Sequence, residues 1–219
     1  ATSLNDITLD GGGGNPNLKP YESTNYELTA EWYPRAGSLI AVELFRRDIS
    51  NYIINTRTNA VFFNSLQNRL TTYNVNQPIN GGKATVNGAL ISAQSEIWGG
   101  FGLQANYSYQ DSSTSSVDAT GTALNLPYLS KHTVNLAGFY DKGPFSGRVS
   151  YVWRDKYLSS TGSTVQAPTY VAAFGSLDGQ LSVRAAENLT LSLEGINIAG
   201  ARQNTYNDSN LRFGEINYW

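Results

Sequence analysis

Phe101-Gly102-Leu103-Gln104-Ala105-Asn106-Tyr107-Ser108-Tyr109-Gln110 alternates between two kinds of residue at every step. Leu103, Ala105, Tyr107 and Tyr109 fall on one side of an extended chain; Gln104, Asn106, Ser108 and Gln110 fall on the other. A period of two belongs to a β-strand with one apolar face, because successive side chains point to opposite sides. Just before it, Trp98-Gly99-Gly100 makes a short turn, and residues 85–97 set Ala89, Ile91, Ala93 and Ile97 against Ser92, Gln94 and Glu96. Just after it comes a long polar stretch, residues 110–131.

This metre of paired strands, short turn and long loop recurs along the chain. Residues 25–33 place Tyr26, Leu28, Ala30 and Trp32 opposite Asn25, Glu27, Thr29 and Glu31. After Pro34-Arg35-Ala36-Gly37, residues 38–46 place Ile40, Val42 and Leu44 opposite Glu43 and Phe45. Val134, Leu136, Gly138 and Tyr140 alternate with Thr133, Asn135, Ala137 and Phe139. Beyond Asp141-Lys142-Gly143-Pro144, Gly147, Val149, Tyr151 and Trp153 alternate with Arg148, Ser150, Val152 and Arg154. Leu177, Gly179, Leu181 and Val183 alternate with Asp178, Gln180, Ser182 and Arg184. After Ala185-Ala186-Glu187-Asn188, Leu189, Leu191 and Leu193 alternate with Thr190, Ser192 and Glu194. The other long loops are residues 55–82, 155–173 and 199–211.

Short turns at one end and long loops at the other, joining strands of about ten alternating residues, predict an all-β, transmembrane antiparallel β-barrel. Apart from Arg46 at a strand end, no charge lies on the apolar phase of these eight strands, whereas Glu27, Glu31, Glu43, Glu96, Arg148, Arg154, Asp178 and Arg184 lie on the other. That strictness is expected where lipid is the solvent, since a mid-bilayer Lys or Arg costs about 2–4 kcal/mol. Aromatics gather at the ends of the apolar phase, with Trp32 and Tyr140 beside short turns and Tyr26, Tyr109 and Trp153 beside long loops. These five are the predicted membrane girdles. A soluble β-sandwich also alternates, but rarely segregates its short turns to one end.

The chain has 219 residues, with 15% charged, 12% aromatic and a formal net charge of −2. Mean hydropathy is negative, which is no argument against a membrane because a barrel hides its lipid face in every second residue. No apolar run approaches the roughly eighteen residues of a transmembrane helix. The charge balance gives no basic footprint for nucleic acid. With no cysteine there is no disulfide framework, thiolate site or thiol nucleophile. There is no Met and no signal peptide, and Ala1 opens in polar, Gly-rich sequence resembling the inside of a loop, so the chain reads as a piece of a longer protein.

Asn15-Pro16-Asn17-Leu18-Lys19-Pro20 followed by Tyr21-Glu22-Ser23-Thr24-Asn25-Tyr26-Glu27-Leu28 resembles a segment of TonB-dependent outer-membrane receptors, in which an "NPxLKPE" loop leads into an "xNYELGxEW" strand. Further echoes follow in the family's order. They are Leu44-Phe45-Arg46-Arg47-Asp48-Ile49-Ser50-Asn51-Tyr52-Ile53, Leu126-Pro127-Tyr128-Leu129-Ser130-Lys131-His132-Thr133, and Leu177-Asp178-Gly179-Gln180-Leu181 leading to Asn188-Leu189-Thr190-Leu191. The resemblance implies that residues 1–219 form a partial β-barrel domain, the last eight to nine strands of a 22-stranded barrel. It also implies a plug domain and a TonB box that are not in this sequence. The expected partners are outer-membrane lipid, the remainder of the same receptor, TonB through that remainder, and a small-molecule ligand, with the bacterial outer membrane as location. The sequence departs from the family at Gly195-Ile196-Asn197-Ile198-Ala199-Gly200, where "NLxN" is common, and at Trp219, preceded at alternate positions by Asn217 and Glu215. Residues 213–219 therefore read as the approach to a further strand.

No enzyme chemistry is visible, and no cofactor is implied. His132 is the sole histidine, at a loop-to-strand junction where a structural role is the simpler reading. Gly11–Gly14 lacks the Lys-Ser/Thr of a phosphate loop and reads as flexible loop. Glu43, Arg148, Arg154, Asp178 and Arg184 are candidates for the lumen wall, facing a plug or a ligand path, or pairing across strands. The loop aromatics Phe62, Phe63, Tyr73, Tyr128, Tyr157 and Tyr170 are candidates to stack on a ligand, or to pack the loops. The favoured reading is energised uptake of a nutrient, most simply an iron chelate. A carbohydrate importer of the same family, a passive porin or autotransporter-type barrel, and a soluble carbohydrate-binding sandwich are the alternatives.

Overall fold

The computed structural model describes residues 2–115, 123–161 and 167–207. In chain order, β1 (Thr2–Asn5) and β2 (Asp10–Gly13) precede β3 (Glu22–Trp32), β4 (Ser38–Ser50), β5 (Ile53–Asn64) and β6 (Arg69–Asn80). There follow β7 (Lys83–Trp98), β8 (Phe101–Thr114), β9 (His132–Lys142) and β10 (Phe145–Arg154). The last are β11 (Tyr157–Ser160), β12 (Thr169–Val171), β13 (Phe174–Ala186), β14 (Leu189–Gly195) and β15 (Thr205–Asn207). One eight-stranded sheet, in the order β14-β13-β10-β9-β8-β7-β4-β3, carries the alternating segments as an antiparallel meander. It is an open arc of a barrel, with β3 and β14 at its edges.

The register keeps the two phases apart across the whole arc. Leu103 lies opposite Gly138, Gly138 opposite Val149, and Val149 opposite Gly179, an unbroken apolar row. Leu103, Leu136, Leu181 and Leu193 on that face are 54%, 47%, 64% and 72% exposed. A soluble sandwich buries such a face against a second sheet; among the described residues none covers it. On the polar face the wall is built differently. A Cβ on Gly102 would lie 2.1 Å from the Phe139 ring, and one on Gly88 2.4 Å from the Phe45 ring. Each phenyl therefore lies flat over a neighbouring strand only because its partner has no side chain.

The strands run past the predicted boundaries at the long-loop end, and there the apolar phase turns charged. Arg46 reaches Asp48 at 2.9 Å, one step above Tyr26, which is opposite Arg46. Lys131 reaches Asp111 at 3.2 Å, above Tyr109. These pairs end the apolar phase of that face at the long-loop end.

The long loops differ from expectation. Residues 55–82, read as loop, form the hairpin β5-β6, paired from Ile53↔Asn80 to Asn64↔Arg69. Val61, Phe62, Phe63, Thr71, Thr72, Tyr73 and Val75 are good strand formers, masked in the sequence by interspersed Asn. Gly11–Gly14 is not a flexible loop either: Asp10–Gly13 is β2, antiparallel to β1 and parallel to β6. A Cβ on Gly11 would sit 2.7 Å from Leu4 and 2.8 Å from the Ser3 carbonyl, so glycine there permits close packing. The loops at 155–173 and 199–211 contribute β11, β12 and β15, a third small sheet. Residues 213–219 lie outside the described residues. The best-buried apolar cluster, Ile49, Tyr52, Ala84 and Val86 with Phe45, Ile54, Leu126 and Leu129 against it, lies at the long-loop end of the polar face.

Candidate functional site

Three elements converge above that cluster: the foot of β5-β6, the segment before β9, and β11. The segment quoted for the family resemblance is fixed first. Asn80 accepts from the Lys19 amide at 2.9 Å and donates to the carbonyls of Lys19 at 3.1 Å and Asn51 at 2.9 Å. The loop approaching β3 is thus stitched to the hairpin.

Arg154 fixes the second element. Its Nε donates to Ser130 Oγ at 2.9 Å and its Nη2 to the Tyr128 carbonyl at 3.1 Å, while the guanidinium lies 4.0 Å from the Tyr157 ring centroid. Ser130, itself buried, donates to the Asp155 carbonyl at 2.7 Å. Tyr128 is held with φ of +66°, a left-handed conformation rare for a bulky residue, and its amide donates to the Leu158 carbonyl at 2.7 Å. Between these elements lies a cleft of about 710 Å³ lined by Tyr52, Asn55, Arg57, Asn76, Leu126, Tyr128 and Ser159 among others. A second cleft of about 330 Å³ shares Tyr21 and Leu126 with it and continues down the polar face to Arg47 and Glu27.

The charged candidates of the wall have separate duties. Arg148 donates to Gln104 at 2.8 Å across two strands, and Gln104 donates to Gln94 at 3.1 Å, a polar chain along the wall. Asp178 accepts from the Asn197 amide at 2.7 Å and from Ser176 at 2.9 Å, closing the turn after β14. Glu43 sits between Thr29 and Leu90; Arg184 is exposed at the short-turn end.

The aromatic candidates also divide. Tyr128 is 70% exposed and Tyr73 is 0% exposed. Tyr73 donates to Asp6 at 2.7 Å and meets Phe62 edge-on at 6.1 Å, so it is core of the upper lobe rather than a ligand contact, because no face of its ring is reachable. Asp6 also accepts from the Ser65 amide at 2.9 Å and from the Ser65 hydroxyl. These donors, the Ser65 hydroxyl foremost, hold the Asp6 carboxyl below its ordinary range. Phe63 is exposed on the opposite side of the hairpin. Tyr170 stacks on Tyr206 at 5.8 Å, with Lys156 Nζ 5.9 Å above the Tyr170 ring.

Tyr206, Arg57 and Asn76 were missed by sequence reasoning; each lies in a stretch read as plain polar loop. His132 faces outward, its Nδ1 2.8 Å from the Tyr107 hydroxyl, between Tyr107 and Tyr109. Among the described residues no group of three or more His, Cys, Asp or Glu is arranged to hold a metal ion.

The family model for the TonB dependent receptor-like β-barrel matches residues 2–198. The chain belongs to the TonB-dependent receptor β-barrel family. It is similar in fold to the ferric-catecholate import receptor Fiu of Escherichia coli K12 (TM-score 0.60, 21% identity, 84% of this chain and 24% of that one). The ferric yersiniabactin uptake receptor FyuA of Yersinia pestis is similar too (TM-score 0.62, 18% identity, 84% and 26%), as is the copper transporter OprC (TM-score 0.62, 14% identity, 92% and 30%). This chain thus spans about a quarter to a third of the length of those proteins, which are receptors and transporters rather than enzymes. No curated protein sequence gives a significant match.

Proposed function

We propose that this chain is part of an outer-membrane receptor that takes up an iron chelate, with import energised through TonB. The observation that carries the reading is the pairing of an uncovered apolar face across eight consecutive strands with an elaborated, cleft-bearing end above it. Solved relatives named for siderophore or ferric-chelate uptake support the choice of cargo. In this reading Tyr26, Trp32, Tyr109, Tyr140 and Trp153 sit at the two lipid headgroup levels. The acidic side chains of Glu27, Glu31 and Glu43 and the basic ones of Arg148 and Arg184 face a plug contributed by the rest of the receptor. Phe63, Tyr157 and Tyr170 belong to the mouth, with Tyr128 nearest the cleft.

The experiment is uptake of radiolabelled ferric chelates by iron-starved cells with and without the intact receptor, and with and without TonB. Loss of uptake of at least one chelate in both deletions is expected. Uptake unchanged in both removes the reading.

A further inference from the structure

Resting on the receptor reading above, we infer that the apolar face carries a binding site for one diacyl phospholipid, its chains in a branched groove across β8, β9, β10, β13 and β14 and its phosphate on Lys142. The groove is a hollow of about 940 Å³ walled by Leu103, Val149, Leu181, Leu193 and Ile198, with Gly138 on its floor. A smaller hollow of about 380 Å³ shares Tyr140, Gly147, Leu181 and Leu193 with it and runs toward the short-turn end, where Phe145 and Val183 line it. Lys142 is directly opposite Phe145 in the register. It is exposed, two residues beyond Tyr140 on the same phase.

The residue on the groove floor is smaller than its own chain requires. A Cβ on Gly88 or Gly102 of the polar face would strike a phenyl ring, which accounts for those two glycines. Gly138 has no such reason. A Cβ there would meet Leu103 Cδ2 at 3.7 Å, an ordinary contact, with no other described residue within 4 Å, and its φ is not positive. A glycine inside a strand weakens it and marks a place where a ligand or another backbone comes close. Ile198, from the turn after β14, closes the far end of the groove, 3.2 Å from where a Cβ on Gly179 would lie. The walls are aliphatic and aromatic, so what they take from water is hydrocarbon. Two arms that meet at Tyr140 suit the two chains of one molecule, and a cation at the mouth of the shorter arm suits its phosphate. In the receptor reading Tyr140 and Lys142 stand at the headgroup level of the short-turn side, so chains and headgroup fall at the depths their chemistry demands.

The test uses the intact receptor carrying this chain, stripped of lipid in detergent, and native mass spectrometry with two probes. They are palmitoyl-oleoyl phosphatidylglycerol and the corresponding diacylglycerol, which lacks the phosphate. One phosphatidylglycerol is expected to stay bound at a concentration where diacylglycerol does not. Gly138→Leu, which fills the floor, is expected to weaken binding about tenfold. Lys142→Gln is expected to weaken it about threefold to fivefold, and Leu28→Phe, on the same face at the far edge of the sheet, to leave it unchanged. Gel mobility before and after boiling shows which variants are folded; should Gly138→Leu not fold, the exposed Lys142→Gln carries the test. Phosphatidylglycerol binding unaltered in the folded variants, diacylglycerol held as tightly, no lipid retained, or a dimer that Gly138→Leu dissolves overturns the proposal while leaving the uptake result, and so the receptor reading, standing. Uptake indifferent to the receptor and to TonB overturns the reading beneath it instead.

Discussion

Arg154 and Asp178 show how a lumen-phase charge is put to use. Both are polar-phase residues that the sequence offers for a wall facing a plug or a ligand path, or for pairing across strands, and both are committed to loops: Arg154 to Ser130 and the Tyr128 carbonyl, Asp178 to the Asn197 amide. Replacing Arg154 by Gln removes two charge-assisted hydrogen bonds from a half-buried site, an expected loss of about 1–3 kcal/mol. Limited proteolysis of the intact receptor in detergent should then cut within the segment before β9 faster than in the wild type, with strand regions unaffected. Asp6 gives a pH test in the upper lobe. Its carboxyl is held below the ordinary range, chiefly by the Ser65 hydroxyl. Its contribution to docking β1-β2 on the hairpin is therefore full above the unfolded value of about 3.9 and is lost as pH falls through the lower folded value. Hydrogen-exchange protection factors at Ser65 should accordingly hold from neutrality down to about pH 4 and fall only in stronger acid, whereas Asp6→Asn should lower them throughout that upper range and remove the fall in acid. The residue types were plain in the sequence. Their partners, Ser65 and Tyr73 some sixty positions away in sequence, were not, because no local pattern records a contact closed by a tertiary turn.

At the scale of the element, strand and phase were legible because the apolar rule recurs at every second residue along each strand. Leu136, in mid-strand of β9 on the apolar face, should not tolerate Arg: about 2–4 kcal/mol is expected at the bilayer midplane. Ser150, its neighbour on the polar face of β10, should accept Arg at far smaller cost. Folding yield into lipid vesicles, compared between the two variants, measures the difference. Gly102 tests the wall's packing, since a Cβ there would meet the Phe139 ring at 2.1 Å. Gly102→Ala is expected to cost about 1–3 kcal/mol through overpacking, and Phe139→Leu in the same chain should recover part of it, read as unfolding midpoints in urea. The hairpin β5-β6 and strand β2 were not legible. Beyond the eight-stranded sheet neither face of these strands keeps an unbroken apolar phase, so Asn- and Gly-rich segments pair through backbone hydrogen bonds without announcing themselves. A turn detail was equally silent: Arg35 donates to Ser95 at 2.8 Å and to the Glu96 carbonyl at 2.7 Å, locking the short turn after β3 to the end of β7.

For the whole molecule, the decisive fact is an arc of eight strands whose two edges, β3 and β14, have no partner within it. Lipid contains no water to satisfy such edges, so the proposed receptor reading requires a closed wall of which this arc is one part. The intact receptor is expected to fractionate with outer membranes and to migrate faster on gels when unheated than when boiled; recovery from the soluble fraction with no heat-dependent shift would contradict it. By itself the sequence determined the strand phases, the turn polarity and the family, because alternation and the Asn15–Leu28 motif are local properties enforced along each strand. Only the tertiary structure decided what stands at the long-loop end: which charges clamp loops, which tyrosine is buried, and that Arg57 and Tyr128 line one cleft. Those outcomes depend on how segments far apart in the chain pack together, and packing between loops follows no period that a sequence can display.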